Sequence, residues 1–130
     1  MRILIVDDDK GLTQLLQLVF ESRGLGVTVA HSGEQALAAL ATELPEVILL
    51  DIMMPGMSGV EVCAKVRADP RTTHTPIIIL TAKSDAETHR AAMEAGATQY
   101  LVKPIRPSEL INRINEVAAQ PDLSTAKVLT

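Results

Sequence analysis

The chain has 130 residues, a net charge of −4 at pH 7, 47% hydrophobic residues and 2% aromatic residues, which describes one globular domain of common size with an aliphatic core. The negative charge argues against direct binding to nucleic acid or to an anionic membrane surface. The single cysteine, Cys63, cannot form an internal disulfide, and no apolar run has the length of a signal-peptide core or a membrane span, so we expect a cytoplasmic protein.

Five short apolar segments predict five β-strands. They occupy residues 3–6, 27–30, 47–50, 77–80 and 99–102, and most of them are rich in Val and Ile. Their apolar residues run together instead of alternating with polar ones, which is typical of parallel strands covered on both faces.

Helical patterns fill the intervals between these segments. Apolar residues recur at spacings of three and four, which predicts helices that bury one face. The core-facing residues predicted in this way are Leu12, Leu15, Leu16, Val19, Ala36, Leu37, Leu40, Leu110, Ile114 and Val117. We expect Asp9 to cap the first helix, because aspartate is a preferred N-cap, and Pro107 suits the first turn of the last helix.

Polar and small residues predict where the helices begin and end. Ser32, Ser58 and Ser84 each precede a Gln or Glu by three residues, a spacing typical of the capping box at a helix start. Gly24 and Gly96 stand where helices should end, because glycine readily adopts the left-handed conformation that closes a helix.

The alternation of strands and helices predicts one α/β domain, residues 1–119, in which a parallel sheet lies between two layers of helices. The pattern fades after this point, and we expect residues 120–130 to be a C-terminal tail or the start of a linker. A stand-alone protein and a domain excised from a longer chain are both compatible with such a segment.

Four of the predicted strands lead into their loops through polar residues. These residues are Asp7, Asp8 and Asp9 after the first strand, Asp51 after the third, Thr81 after the fourth and Lys103 after the fifth. Because parallel strands point the same way, these side chains should meet at one edge of the sheet, where open α/β sheets bind their ligands.

Carboxylates gathered at one edge repel one another, and this favours a bound cation. A pair about 4 Å apart costs roughly 4 kcal/mol at an effective dielectric constant of about 20. A hard divalent cation offsets this repulsion, and oxygen ligands favour Mg²⁺ over Zn²⁺. The histidines His31, His74 and His89 have no chelating spacing, so we expect them to be solvated.

A cation, a lysine and a threonine hydroxyl together form an anion site, and a phosphoryl group fits it best. Lys103 would neutralise the phosphoryl oxygens, Thr81 would donate a hydrogen bond, and Asp51 would attack phosphorus. Carboxylates form aspartyl phosphate in this type of covalent catalysis. Positioning and charge neutralisation supply most of the rate in phosphoryl transfer.

Four motifs at these strand ends resemble a known family. VDDD at 6–9, LLDIMMPGMSG at 49–59, LTA at 80–82 and YLVKP at 100–104 are similar to the receiver domain of bacterial two-component response regulators. The resemblance implies a flavodoxin-like fold, a doubly wound (βα)5 three-layer sandwich with a five-stranded parallel sheet of order 2-1-3-4-5. It also implies a signalling switch that catalyses only its own phosphorylation and dephosphorylation.

The resemblance further implies roles for individual residues. Asp51 would be the phosphoacceptor. The Mg²⁺ ligands would be Asp7, Asp8, Asp51 and the backbone carbonyl of Met53. Thr81 and Lys103 would contact the phosphoryl group, and Tyr100 would move inward as Thr81 swings toward that group. The Lys103–Pro104 peptide bond is usually cis in the family, as an X-Pro bond can be.

The implied partners are a phosphoryl donor and a receiver of the signal. The donor would be a sensor histidine kinase or a phosphotransfer protein. The fourth helix, fifth strand and fifth helix would form the surface that controls a downstream protein or effector domain. Members that dimerise through this surface usually carry acidic residues where this chain has Thr98 and Gln99, so we expect a monomer or a weak, phosphorylation-dependent dimer.

Two other functions share some of these features. Asp7-x-Asp9 is similar to the nucleophile motif of haloacid-dehalogenase-like phosphatases, in which Asp7 would attack the substrate, but the chain is short and shows no later acidic pair for the metal. An FMN-binding flavodoxin would need a phosphate loop rich in Ser, Thr and Gly after the first strand. This chain has acids there, and they would repel phosphate without a metal.

Overall fold

The computed structural model describes residues 1–119, so the expected tail, residues 120–130, lies outside the described residues. Strands and helices alternate along the described part of the chain. The strands are β1 Arg2–Val6, β2 Gly26–Ala30, β3 Val47–Leu50, β4 Ile77–Thr81 and β5 Gln99–Val102. The helices are α1 Lys10–Ser22, α2 Gly33–Thr42, α3 Gly59–Ala68, α4 Ala86–Glu94 and α5 Pro107–Ala119. The predicted strands are therefore confirmed to within one residue at each end.

The sheet is parallel throughout, with the strand order β2-β1-β3-β4-β5, which confirms the predicted flavodoxin-like fold. The chain moves from β1 to β2 on one side and then to β3 on the other, so the order reverses between β1 and β3. Such a switch point opens a crevice at the carboxyl ends of the strands, where ligands bind. Val6 pairs with Leu50 in the register, and the next residue of each strand is a predicted site aspartate.

Apolar side chains cover both faces of the sheet. One cluster lies beneath α2, α3 and α4 and includes the fully buried Ile48 and Val62. The other lies beneath α1 and α5 and is built around Phe20, Ile5 and Ile114. All residues of β3 and β4 are buried, which explains why these strands read as continuous apolar runs. No helix within residues 1–119 combines the length and apolarity that a bilayer crossing needs.

The prediction that Leu15 faces the core is wrong, because its side chain is 51% exposed. The buried residues of α1 are Thr13, Leu16 and Phe20. Apolar residues at mixed spacings of three and four cover more than one stripe of a helix, and only the stripe through Leu16 and Phe20 lies against the sheet. Leu15 is about 100° of helix rotation away from Leu16 and therefore points toward solvent.

The predicted start of the fourth helix also needs correction. Asp85 is the N-cap of α4, not Ser84. The Asp85 carboxylate accepts hydrogen bonds from the backbone N–H of Thr88 at 3.0 Å and from its hydroxyl at 2.8 Å. An aspartate at this position caps the helix and also places negative charge at the positive end of the helix dipole. The predicted caps Asp9, Ser32 and Ser58 are confirmed, as are the helix ends at Gly24 and Gly96, where φ is 83° and 111°.

Candidate functional site

Backbone hydrogen bonds at the carboxyl edge of the sheet fix the residues that begin the loops. The N–H groups of Asp7, Asp51 and Lys103 donate to the last carbonyl of a neighbouring strand at 3.0, 2.9 and 2.8 Å. Each of these bonds continues the parallel ladder one residue beyond the strand. The site residues are therefore held by the sheet itself rather than by flexible loop.

The ammonium group of Lys103 joins the two buried aspartates. Its Nζ atom lies 2.8 Å from Oδ2 of Asp7 and 3.3 Å from Oδ2 of Asp51. The second oxygen of each carboxylate accepts a backbone N–H: Oδ1 of Asp7 from Asp9 at 2.9 Å, and Oδ1 of Asp51 from Met53 at 3.1 Å. Both carboxylates are thus oriented through both oxygens, and charge-assisted bonds of this kind are stronger than neutral ones.

A third carboxylate completes the acidic cluster. Asp7, Asp8 and Asp51 each place one carboxylate oxygen so that all three oxygens lie within 4.8 Å of one another. Asp7 and Asp51 are buried, whereas Asp8 is exposed, so the cluster is open to solvent on the side of Asp8. Three carboxylates exceed the single charge of Lys103, and hard oxygen donors suit a divalent cation such as Mg²⁺. The residues present therefore fit a metal ion.

The pKa values of Asp7 and Lys103 are both raised at this site. Burial raises the pKa of Asp7, and the charge of Asp51 raises it further, although the hydrogen bond from Lys103 acts in the opposite direction. Partial burial alone would lower the pKa of Lys103, but the hydrogen bond to Asp7 and the charge of Asp51 raise it above its ordinary value. The ammonium therefore stays charged, and the pocket favours additional positive charge.

Thr81 ends β4 at the same edge of the sheet and is connected to Tyr100 through the backbone of Lys83. Thr81 is fully buried at the end of β4, and its Oγ1 atom accepts the N–H of Lys83 at 3.4 Å. The hydroxyl of Tyr100 donates to the carbonyl of Lys83 at 2.6 Å. The Lys103–Pro104 peptide bond is cis, as the resemblance implied. The structure thus brings the predicted residues of the third, fourth and fifth strands to the same edge.

Two histidines make contacts that the sequence did not predict. Nδ1 of His31 lies 3.1 Å from the backbone carbonyl of Asp7. The ring of His89 packs edge-to-face against Tyr100, with centroids 4.7 Å apart and an interplanar angle of 84°. The expectation of solvated rings is therefore wrong for the half-buried His31 ring, whereas His89 is exposed as expected and makes the ring contact in addition. The sequence held one signal for His31, which directly follows β2 beside the end of β1, and none for His89, whose partner belongs to another element.

Gly59 is a further residue whose role the sequence did not reveal. A Cβ atom at Gly59 would lie 2.2 Å from the carbonyl oxygen of Asp51 and 2.7 Å from Cα of Ile52. The Gly59 N–H donates to the Ile52 carbonyl at 3.0 Å. The start of α3 therefore packs directly on the backbone that carries Asp51, and only glycine permits this approach.

Comparisons with known proteins point to one family. The response regulator receiver domain family matches residues 3–115. The DNA-binding response regulator MtrA of Mycobacterium tuberculosis is 40% identical over 129 residues, which cover 99% of this chain and 55% of MtrA. The response regulator PleD of Caulobacter vibrioides is 40% identical over 116 residues, which cover 89% of this chain and 26% of PleD. The chain therefore spans little more than half of the first relative and about a quarter of the second.

A solved structure agrees in fold as well as in sequence. The CheY-like response regulator receiver domain protein from Methanospirillum hungatei superposes with a TM-score of 0.85 at 31% identity, covering 90% of this chain and 92% of that one. The matches give no support to the phosphatase alternative with Asp7 as nucleophile. Sequence, strand order and relatives agree, and the chain belongs to the response regulator receiver domain family of two-component signalling proteins.

Proposed function

We propose that this chain, as a receiver domain over residues 1–119, accepts a phosphoryl group on Asp51 and acts as the switch of a two-component system. The observation that carries the proposal is the position of the Lys103 ammonium, 2.8 Å from Asp7 and 3.3 Å from Asp51. Fixed charge beside a buried carboxylate is what phosphoryl transfer requires, because positioning and charge neutralisation provide most of its rate. Residues 120–130 are a tail or the start of a linker in this proposal.

The phosphoryl donor is a phosphohistidine of a sensor histidine kinase or of a phosphotransfer protein. An oxygen of Asp51 attacks phosphorus, so that an O–P bond forms and the N–P bond of the donor breaks. The electron pair of that bond returns to the donor imidazole, which takes up a proton from solvent. Hydrolysis later transfers the phosphoryl group to water and regenerates the carboxylate. These two reactions are the only catalysis that we propose for the chain.

Four groups would hold Mg²⁺ at this site: the carboxylates of Asp7, Asp8 and Asp51 and the backbone carbonyl of Met53. When bound, the ion supplies positive charge for the phosphoryl oxygens. The contribution of the chain itself is to orient Asp51 through the Met53 N–H and to direct the ammonium of Lys103 at the incoming oxygens. The hydroxyl of Thr81 donates a hydrogen bond to the phosphoryl group.

The conformational switch depends on the hydrogen bond that the Thr81 hydroxyl accepts from the Lys83 N–H. When this hydroxyl turns toward the phosphoryl group, the bond from the Lys83 N–H weakens, and the β4–α4 connection can rearrange while Tyr100 keeps its bond to the Lys83 carbonyl. Moving a two-state surface from about 1% to about 99% active needs roughly 5.5 kcal/mol. Hydrogen bonds to charged groups contribute about 1.5–3 kcal/mol each, so two or three contacts from Thr81, Lys103 and the loop are sufficient.

The output surface in this proposal comprises α4, β5 and α5, and it controls a downstream protein or an attached effector domain in the cytoplasm. The MtrA relative is a DNA-binding regulator by name. We assign no direct contact with nucleic acid to the present chain, because its net charge is −4 and phosphate binding requires basic patches. Thr98 and Gln99 replace the acids of the family dimer, so self-association is weak or depends on phosphorylation.

Acetyl phosphate with Mg²⁺ tests the proposal, with intact mass as the readout. We expect one phosphoryl group on the wild type, none on Asp51→Asn and slower labelling of Asp7→Asn. Asp9→Asn is the matched control, because it removes a carboxylate of the same loop and asparagine still caps α1. It should label like the wild type. Labelling lost in Asp7→Asn and kept in Asp51→Asn would contradict the proposal and favour the phosphatase class.

A further inference from the structure

The side chain of Tyr100 has a defined place without a phosphoryl group. The residue is only partly exposed and packs against the apolar cluster beneath α4. Its hydroxyl donates to the Lys83 carbonyl at 2.6 Å. On α4, the His89 ring meets it edge-to-face with a centroid distance of 4.7 Å. The tyrosine is therefore held at its hydroxyl by the β4–α4 connection and at its ring by α4.

The same contacts connect Tyr100 to the candidate phosphoryl site. The backbone carbonyl of Lys83 accepts a hydrogen bond from the Tyr100 hydroxyl, and the backbone N–H of Lys83 donates to the Thr81 hydroxyl at 3.4 Å. The position of Lys83 thus depends on both side chains. The Asp85 cap of α4 also forms an exposed ion pair with Lys83 at 3.6 Å.

We propose that His89 is a positioning residue that holds Tyr100 against the Lys83 carbonyl before phosphorylation, so that the switch tyrosine is already placed when the phosphoryl group arrives. This inference rests on the proposed function for the meaning of the tyrosine position, while the contact itself stands on the geometry. The chain has no Trp, and its one Phe lies on α1 against the other face of the sheet, so the aromatic contact that the structure gives Tyr100 is the one with His89.

The strength of the ring contact determines how firmly Tyr100 is held. The tyrosine hydroxyl can exchange its bond to Lys83 for a bond to water, so that bond alone gives only a modest preference for the held position. An edge-to-face aromatic pair contributes a preference of similar size. Without the imidazole ring, one wall of the tyrosine site is missing. The ratio of the held to the released position should then fall by about threefold to tenfold, the range of an aromatic pair.

The single tyrosine makes the test direct, because ring-labelled tyrosine gives NMR signals from Tyr100 alone. Spectra of the full chain are recorded first without Mg²⁺ or phosphoryl mimic, for the wild type, His89→Ala and His89→Phe. We expect the wild-type ring signals to differ from those of free tyrosine. The His89→Ala signals should move toward the free value or broaden, and His89→Phe should restore the wild-type position because it keeps an aromatic ring. Alanine favours the helix more than histidine does, so a shift in that variant does not reflect a weakened α4.

Addition of beryllium and fluoride ions with Mg²⁺ then separates the two proposals. We expect the mimic to change the tyrosine signals little in the wild type and strongly in His89→Ala. A His89→Ala spectrum identical to that of the wild type, or a His89→Phe spectrum identical to that of His89→Ala, would overturn the role of His89. Failure of the wild type to bind the mimic, measured by the fluorine signal of the bound ion, would instead overturn the proposed function and leave the mimic-free comparison valid.

Discussion

Gly59 is the point at which α3 comes closest to the backbone of the predicted phosphoacceptor, and Gly59→Ala is therefore a sharp perturbation of the site. The added Cβ would meet two backbone atoms, the Asp51 carbonyl oxygen at 2.2 Å and Cα of Ile52 at 2.7 Å, where contacts below 3.0 Å are essentially never observed. Neither atom belongs to a flexible side chain. The start of α3 must therefore move away from the loop, or the loop must move with Asp51.

Three terms set the size of the effect. Forced overpacking costs about 1–3 kcal/mol, and weakening of the bond from the Gly59 N–H to Ile52 adds about 1 kcal/mol. The better helix propensity of alanine returns up to about 1 kcal/mol. We expect a net loss of about 2 kcal/mol in the free energy of unfolding, which lowers Tm by roughly 8 °C for a domain of this size. Displacement of a reacting group by about 1 Å can slow a reaction 100-fold, so labelling by acetyl phosphate should slow at least about tenfold.

Urea denaturation and the rate of labelling by acetyl phosphate measure the two effects. Gly11→Ala is the matched control, because a Cβ there meets only the Asp9 side chain at 3.4 Å and lies within α1. This control should keep the wild-type labelling rate and gain up to about 1 kcal/mol of stability. A Gly59→Ala protein with the stability and labelling rate of the wild type would refute the close approach as a determinant of the site.

Three further outcomes are expected. Because burial raises the pKa of Asp7, the folded protein binds a proton there more tightly than the unfolded chain, and stability from this group is lost as pH rises from the ordinary aspartate pKa through the raised one. In urea titrations without Mg²⁺, the free energy of unfolding of Asp7→Asn should therefore rise relative to that of the wild type across that window. A relative fall as pH rises would contradict this. Mg²⁺ at 100 times its Kd for the wild type should stabilise that protein by about 2.7 kcal/mol and should stabilise Asp7→Asn clearly less, which Tm measurements would show. Equal stabilisation of the two proteins would argue against Asp7 as a ligand. Arg67→Met should lower the free energy of unfolding, measured in urea, by about 2–4 kcal/mol. The guanidinium donates to carbonyls of both the α3–β4 loop and the α4–β5 turn, and bonds of charged donors contribute about 1.5–3 kcal/mol each. A loss below about 1 kcal/mol would show that water replaces these bonds.

The sequence was sufficient for the features that a strand end determines. Continuous apolar runs predicted buried parallel strands, and a parallel sheet must bring its carboxyl ends to one edge. For that reason the sequence alone predicts that Asp51 and Lys103, which are far apart in the chain, lie close together. The structure brings them within 3.3 Å of each other.

The sequence was insufficient where two neighbouring choices have similar local energies or where the partner belongs to another element. Ser84 and Asp85 are both good N-caps, and the contacts of Asp85 with Thr88 and Lys83 favour the aspartate. Leu15 and Leu16 both fit a three-four pattern, and only packing against the sheet distinguishes them. The contact of His89 with Tyr100 depends on the tilt of a helix over a strand, for which a periodic pattern contains no information.

If the carboxylate of Asp51 is the acceptor of the phosphoryl group, the most direct test is to locate that group in the labelled protein. The wild-type chain is labelled with acetyl phosphate and Mg²⁺, the acyl phosphate is trapped by borohydride reduction, and the peptides are sequenced by tandem mass spectrometry. The account predicts that the modification lies at residue 51 alone. A modification at residue 7 or 9, or a phosphoryl group on a hydroxyl side chain, would contradict it.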